Sequence, residues 1–191
     1  MGFRHAMLSA RLHLRRGDLP PLQRQRIRSL GLRGGPARTV MEPRYDRNRS
    51  RVADVHAHLL LCEGSFSPPL GDRVSIDDYA AKLVARAGRF EAWAGSDLIG
   101  LVAIYCNAPD RQDAFVTNVS VVPHRVREGI GLRLLGDATT YVRSLAFRRL
   151  VLSVDRSAGA LGLYHRSGFQ AEASDGETMR MVLGLSKDAA S

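Results

Sequence analysis

The chain has 191 residues, of which 45% are hydrophobic and 25% charged, the balance of a soluble globular domain with one hydrophobic core. Its formal charge is +9, but residues 1–40 hold nine arginines against a single acid, Asp18, so that segment carries +8 and the rest of the chain only +1. A basic face spread over a folded domain is thus not indicated, and nucleic acid is not the expected partner. Cys62 and Cys106 lack metal-ligand spacing, which argues against a zinc finger or disulfide scaffold and fits a reduced, cytoplasmic setting. No apolar run approaches the roughly 18 residues of a membrane span.

Residues 1–40 show no sustained period and read as a disordered or partly amphipathic extension. Three origins compete: a start placed upstream of a working Met41, an arginine-rich transit peptide, and a nucleic-acid-binding arm. The domain is expected over 41–191. Val52, Val55, Leu59 and Cys62 recur at helical spacing up to Gly64, and a loop, "SFSPPLGDRV", follows. Ser75 stands at an N-cap before "IDDYAAKLVARAG", with Asp77 and Asp78 in the first turn, where they complement the helix dipole.

The period then changes from 3.6 to 2. "RFEAWAG", "LIGLVAIYC" and "AFVTNVSVV" read as an antiparallel three-stranded meander, with the first turn at "GSD". Ile130, Leu134, Leu135, Ala138, Val142 and Leu145 mark one face of a third helix. A buried strand "RRLVLSV", a short helix in "SAGALGLYHRSG", and a hairpin through "SDGE" close the domain. The predicted order is α-α-β-β-β-α-β-α-β-β, an α/β (α+β) domain with a mixed, largely antiparallel twisted sheet and about four helices.

The stretch "VVPHRVREGIGLRLL" runs from strand through a glycine turn into a helix. Unpaired N–H groups and the positive end of the helix dipole converge there, and Gly129 and Gly131 leave room for a ligand at the backbone, so a phosphate site is one reading. A tight strand-to-helix connection is the other. A dinucleotide fingerprint is excluded because its third glycine position holds Leu134, and a P-loop because the segment has no lysine.

Val121, Pro123, Gly129, Gly131 and Leu134, paired downstream with Ala160, Leu163, Tyr164, Gly168 and Phe169, resemble the GNAT superfamily of acyl-CoA-dependent N-acyltransferases over roughly residues 48–184. That resemblance implies a sheet with splayed central strands and acetyl-CoA as co-substrate, with no metal. It implies that Val126, Arg127, Glu128, Gly129, Ile130, Gly131 and Leu132 hold the pyrophosphate through their backbone, and that the main chain of Val119 and Val121 pairs with the pantetheine arm. Two departures stand out. Val126 replaces an Arg or Gln of the family pattern, leaving Arg125 or Arg127 to supply charge, and Ser157 stands where an asparagine often opens the later helix.

Acyl transfer to an amine must take a proton from nitrogen and give one to the departing thiolate. Tyr164 matches the family tyrosine near the thioester sulfur and is the acid candidate; a structural helix tyrosine is the alternative. Strict alternation along "FVTNVSVV" places Val116, Asn118, Ser120 and Val122 on one face, so Asn118 and Ser120 are candidates to order a proton-relaying water. Glu63 is a further base candidate or a solvated helix-end charge. The Val119 or Ser120 amide is the expected oxyanion donor. "DVHAH" resembles the start of a metal site, but His56 and His58 lie on a helical pattern where i and i+2 point apart. Cys106 reads as inert core packing. The resulting expectation is an N-acetyltransferase acting on a small-molecule or peptide amine, with a homodimer compatible. The alternatives are a non-catalytic acyl-CoA-binding module and, on the arginine-rich segment, a nucleic-acid-associated protein.

Overall fold

A computed structural model describes residues 41–185, so the readings of residues 1–40 lie outside the described residues. The elements in chain order are β1 (Arg44–Arg47), α1 (Val52–Cys62), α2 (Ile76–Arg86), β2 (Gly88–Ala94), β3 (Asp97–Tyr105), β4 (Asp113–Val121), α3 (Ile130–Ser144), β5 (Arg149–Asp155), α4 (Leu161–Arg166), β6 (Gln170–Asp175) and β7 (Thr178–Gly184). They form one seven-stranded sheet in the order β1-β2-β3-β4-β5-β7-β6. Only β4 and β5 run parallel; every other neighbouring pair is antiparallel. The meander, the third and fourth helices and the closing hairpin match the sequence reading. The added element is β1, four largely charged residues at a sheet edge, where an apolar period is not required.

Helices cover both faces. Ile130, Leu134, Leu135, Ala138 and Val142 of α3 pack on Phe90, Val102, Ile104, Ala114 and Val116, together with Tyr164 and Phe169. Val55 and Leu59 of α1, and Ala80 and Leu83 of α2, pack on Trp93, Leu98, Leu101 and Ala103 of the other face. Each such fully buried Leu, Ile or Val stabilises the fold by about 1.5–3 kcal/mol. Ser75 caps α2 as expected, its side chain accepting from the Asp78 amide at 3.3 Å. The start of α1 is held by the fully buried Glu91 carboxylate, which accepts from the Ser50 amide, the Ser50 hydroxyl at 2.6 Å, Trp93 Nε1 and Arg89 Nε. A buried carboxylate with that many donors fixes α1 against β2.

The alternation expected along β4 fails at one residue. Ala103 pairs with Asn118 but Ile104 pairs with Val116, so Thr117 is an extra residue, a β-bulge. One inserted residue reverses the faces. Val116 therefore belongs with Val119 and Val121 in the α3-side core, whereas Asn118 and Ser120 lie opposite Ala103 and Leu101, on the α1 side.

Candidate active site

The head of α3 carries the turn. The chain leaves β4 through a 3-10 turn, Pro123–Arg125, turns through Arg127 at φ 69° and Gly129 at φ 81°, and enters the helix at Ile130. Left-handed φ at Gly129 costs glycine little and other residues more. Among the described residues, no acceptor takes the N–H groups from Val126 to Leu132, and the first bond closing the turn is Arg133 N to Gly129 O at 3.0 Å. A run of free donors at the positive end of a 15-residue helix is an anion site.

Beside it β4 parts from its neighbour. The parallel pairing with β5 covers only Asp113, Ala114 and Phe115, and stops there, leaving Val116 to Val121 with one backbone edge free among the described residues. The two features open into a single cleft of about 790 Å³, lined on one side by Val119, Ser120, Val121 and the turn, and on the other by Gly159, Ala160, Gly162, Leu163 and Arg166. Added to Gly131, a Cβ would stand 3.3 Å from Leu163 Cδ2 and 3.7 Å from Val121 Cγ2, so this glycine keeps the cleft open between β4 and α4.

The predicted residues divide accordingly. Val119, Val121, Val126, Arg127, Gly129, Ile130, Gly131 and Leu132 line the cleft together with Ser120. Glu128 does not; its carboxylate pairs with Arg125 Nε at 2.7 Å, so Arg125 is a neutralised cation that braces the turn. Arg127 and Arg166 line the cleft without a salt bridge among the described residues. Arg166 escaped the sequence reading because nothing in "LYHRSGF" tells which of its residues a six-residue helix turns toward β4. Glu63 accepts from the Gly71 amide at 2.8 Å and ties down the α1–α2 loop, away from the cleft lining. Ser157 does not open the later helix. It bonds the Asp155 carboxylate, and α4 begins after Ala160. Cys106 lies just past β3, half-buried, its thiol pushed by burial up to about 11.

Tyr164 is 7% exposed, packed edge-on to Phe169 and next in sequence to Leu163 of the cleft wall. Burial pushes its phenol up to about 12, so it stays protonated at neutral pH. Asn118 and Ser120 are both buried and joined, Ser120 Oγ standing 2.8 Å from Asn118 Oδ1. The same Ser120 Oγ lies 2.8 Å from His58 Nε2, and His58 Nδ1 lies 2.9 Å from the Leu98 carbonyl oxygen. Burial pushes His58 down to about 4, against the partial support of that carbonyl, so the ring is neutral at physiological pH. His56 instead reaches Asp77 at 3.3 Å, so the two imidazoles of "HAH" do point apart. The contact of His58 with Ser120, 62 positions away, had no local signal in the sequence.

An open mixed sheet whose one parallel pair splits beside a helix head of free N–H donors defines the class of fold. Residues 53–169 match the Acetyltransferase (GNAT) family, and the chain belongs to it. No curated protein matches the chain. Among solved structures, the chain is similar to the ribosomal-protein-S18-alanine N-acetyltransferase of Escherichia coli, at 18% identity and TM-score 0.60 over 77% of this chain and 97% of the other. It is also similar to the PaiA N-acetyltransferase of Thermoplasma acidophilum in complex with coenzyme A, at 18% identity and TM-score 0.58 over 74% and 99%. A third is a Bacillus subtilis acetyltransferase in complex with CoA, at 20% identity and TM-score 0.57 over 75% and 99%. At these identities the likeness establishes the fold, which is the mixed open sheet expected from the sequence. Among the described residues, no helix is long and apolar enough to cross a membrane.

Proposed function

We propose that residues 41–191 form an N-acetyltransferase domain that moves the acetyl group of acetyl-CoA directly to a primary amine on a small molecule or peptide. The observation that carries this reading is the continuity of the free N–H run, Val126 to Leu132, with the unpaired β4 edge in one cleft. The first offers donors for a pyrophosphate and the second a backbone edge for an amide-bearing arm, and Gly131 keeps the passage between them free of a Cβ. The two similar proteins crystallised with CoA support the same ligand. Arg127 and Arg166 are the side-chain cations available to its phosphates.

In the reaction the amine nitrogen forms a bond to the carbonyl carbon and the C–S bond breaks, its electron pair leaving on sulfur. One proton leaves nitrogen and one reaches the thiolate. Tyr164, protonated across the neutral range, is the proposed donor to sulfur, and the Val119 or Ser120 amide the donor to the carbonyl oxygen. Ser120, on the cleft wall and bonded to Asn118, is the proposed acceptor-side residue. Two unpaired cysteines accord with a cytoplasmic setting.

The test is thiol release from acetyl-CoA by the full chain, and by a chain begun at Met41, over putrescine, tyramine, amino acids, an aminoglycoside and a peptide with a free alanine N-terminus. Saturating acetyl-CoA, present at 100 times its Kd, should stabilise the fold by about 2.7 kcal/mol. Binding without thiol release by any amine would favour a non-catalytic acyl-CoA-binding module. Neither binding nor a raised melting temperature would end the reading.

A further inference from the structure

His58 and Ser120 come from elements 62 residues apart, and one geometrical constraint decides how their hydrogens lie. A carbonyl oxygen can only accept, so His58 Nδ1, 2.9 Å from Leu98 O, carries a hydrogen. The imidazole is 1% exposed, and among the described residues no carboxylate bonds to it, so it is neutral and its Nε2 holds a lone pair. Ser120 must therefore give its single hydrogen to Nε2 at 2.8 Å. It has none left for Asn118, so the Asn118 amide, whose oxygen and nitrogen exchange by a half-turn of the side chain, presents its nitrogen to Ser120 Oγ over the 2.8 Å contact. Every hydrogen in the chain Asn118, Ser120, His58, Leu98 then points the same way, from β4 through α1 to β3. Cys62 Sγ, 3.6 Å from the same Nε2, is a longer and weaker contact.

One lone pair on Ser120 Oγ is left with only the weak Cys62 S–H as a competing donor among the described residues, and Ser120 is the member of this chain that lines the cleft. We infer that His58 is a positioning residue that turns the Ser120 hydroxyl hydrogen away from the cleft, so that Ser120 presents a hydrogen-bond acceptor to an N–H of the incoming amine and receives its proton as the N–C bond forms. The assignment rests on the acyl-transfer reading above. In the balanced step, the proton leaving the amine nitrogen passes to Ser120 Oγ while Ser120's own proton moves to His58 Nε2; the electron pair of the breaking C–S bond leaves on sulfur, which takes its proton from Tyr164. After the product leaves, reversal along the same chain returns the proton to Ser120 and the cleft, from which the Tyr164 phenolate regains its own, so that no net proton is left on the protein. The arrangement selects acceptors: an amine offers the N–H that Ser120 lacks a partner for, whereas a ligand atom that can only accept meets a lone pair and is repelled.

Two measurements on the full chain test this. Nitrogen-15 NMR of labelled histidines should find His58 neutral, with hydrogen on Nδ1 and a bare Nε2, from pH 8 to pH 5. Hydrogen on Nε2 would overturn the inference whatever the kinetics. With whichever of putrescine, tyramine or the alanyl peptide reacts fastest, Ser120→Ala should lower kcat by about 10–100-fold, the scale of one buried hydrogen bond, with the KM for acetyl-CoA within about twofold. Ser120→Thr should recover most of that loss. His58→Gln should lower kcat similarly, and the double variant should be no worse than the poorer single one. A folded Ser120→Ala protein with wild-type kcat, or losses that multiply in the double variant, would overturn it. If His58→Gln does not fold, the NMR and the Ser120 pair still decide. A wild-type chain that binds no acetyl-CoA would fail the underlying reading and this one together; full turnover by Ser120→Ala would fail this one alone.

Discussion

Gly100 and Gly136 are two helix- or strand-interior glycines at which the same substitution should have opposite signs. A Cβ built on Gly100, in the middle of β3, would stand 2.7 Å from Ile130 Cγ2 and 3.1 Å from Leu134 Cδ1. Both residues are 1% exposed and belong to the α3 core, so neither side chain has open space to enter. Carbon atoms pack at about 3.5–4.0 Å, so Gly100→Ala must lift the head of α3 by roughly 1 Å or force a rotamer, at a cost of about 1–3 kcal/mol. Gly136 lies on the exposed side of α3 with nothing within 4 Å of its added Cβ. There alanine should stabilise by about 0.8–1 kcal/mol through helix propensity alone. At about 2–4 °C per kcal/mol, melting should fall by roughly 2–12 °C for Gly100→Ala and rise by roughly 2–4 °C for Gly136→Ala. Because Ile130 is the first residue of α3, the Gly100 change should also weaken acetyl-CoA binding in calorimetry, while the Gly136 change should not. A Gly100→Ala protein that melts and binds like the wild type would refute the claim that this glycine sets the seat of the head of α3.

Gly131→Leu, driven against Leu163 and Val121, should cost acetyl-CoA affinity at least about tenfold by calorimetry, whereas Val126→Ala should change it less than about twofold, since the proposed contact there is made by backbone. Equal losses would mean that side chains, not amides, hold the phosphates. Tyr164→Phe should reduce kcat by about 100-fold while leaving acetyl-CoA affinity unchanged; an unaltered kcat would return Tyr164 to a purely structural role. His58 has a folded pKa of about 4 against an ordinary 6.5, so the unfolded chain binds its proton more readily. Its stabilising effect is complete above pH 6.5 and is lost as pH falls toward 4, by about 2 kcal/mol between pH 7.5 and 5.0. Denaturant unfolding of wild type and His58→Gln at both pH values should reveal that slope in the first and not in the second.

Local pattern carried most of the architecture. The apolar stripe of α3, the Ser75 cap of α2, the meander and the closing hairpin are written in short-range periodicity, which depends only on which face of a helix or strand must be dry. The glycine turn was legible for the same reason: Gly129 precedes, and Gly131 sits at the head of, an apolar period that fixes where the helix, and so its free N–H groups, must begin. What tertiary structure alone decided turns on register and distance. The bulge at Thr117 inserts one residue with no compositional mark, and that residue sends Asn118 and Ser120 to the α1 side and leaves Val116 with α3. The pairing of Arg125 with Glu128, the turn of Arg166 into the cleft, and the meeting of His58 with Ser120 are likewise set by how the elements pack. A sequence states which side chains are available and where helices start; which donors are already satisfied, and which remain free to meet a ligand, is a property of the packed sheet.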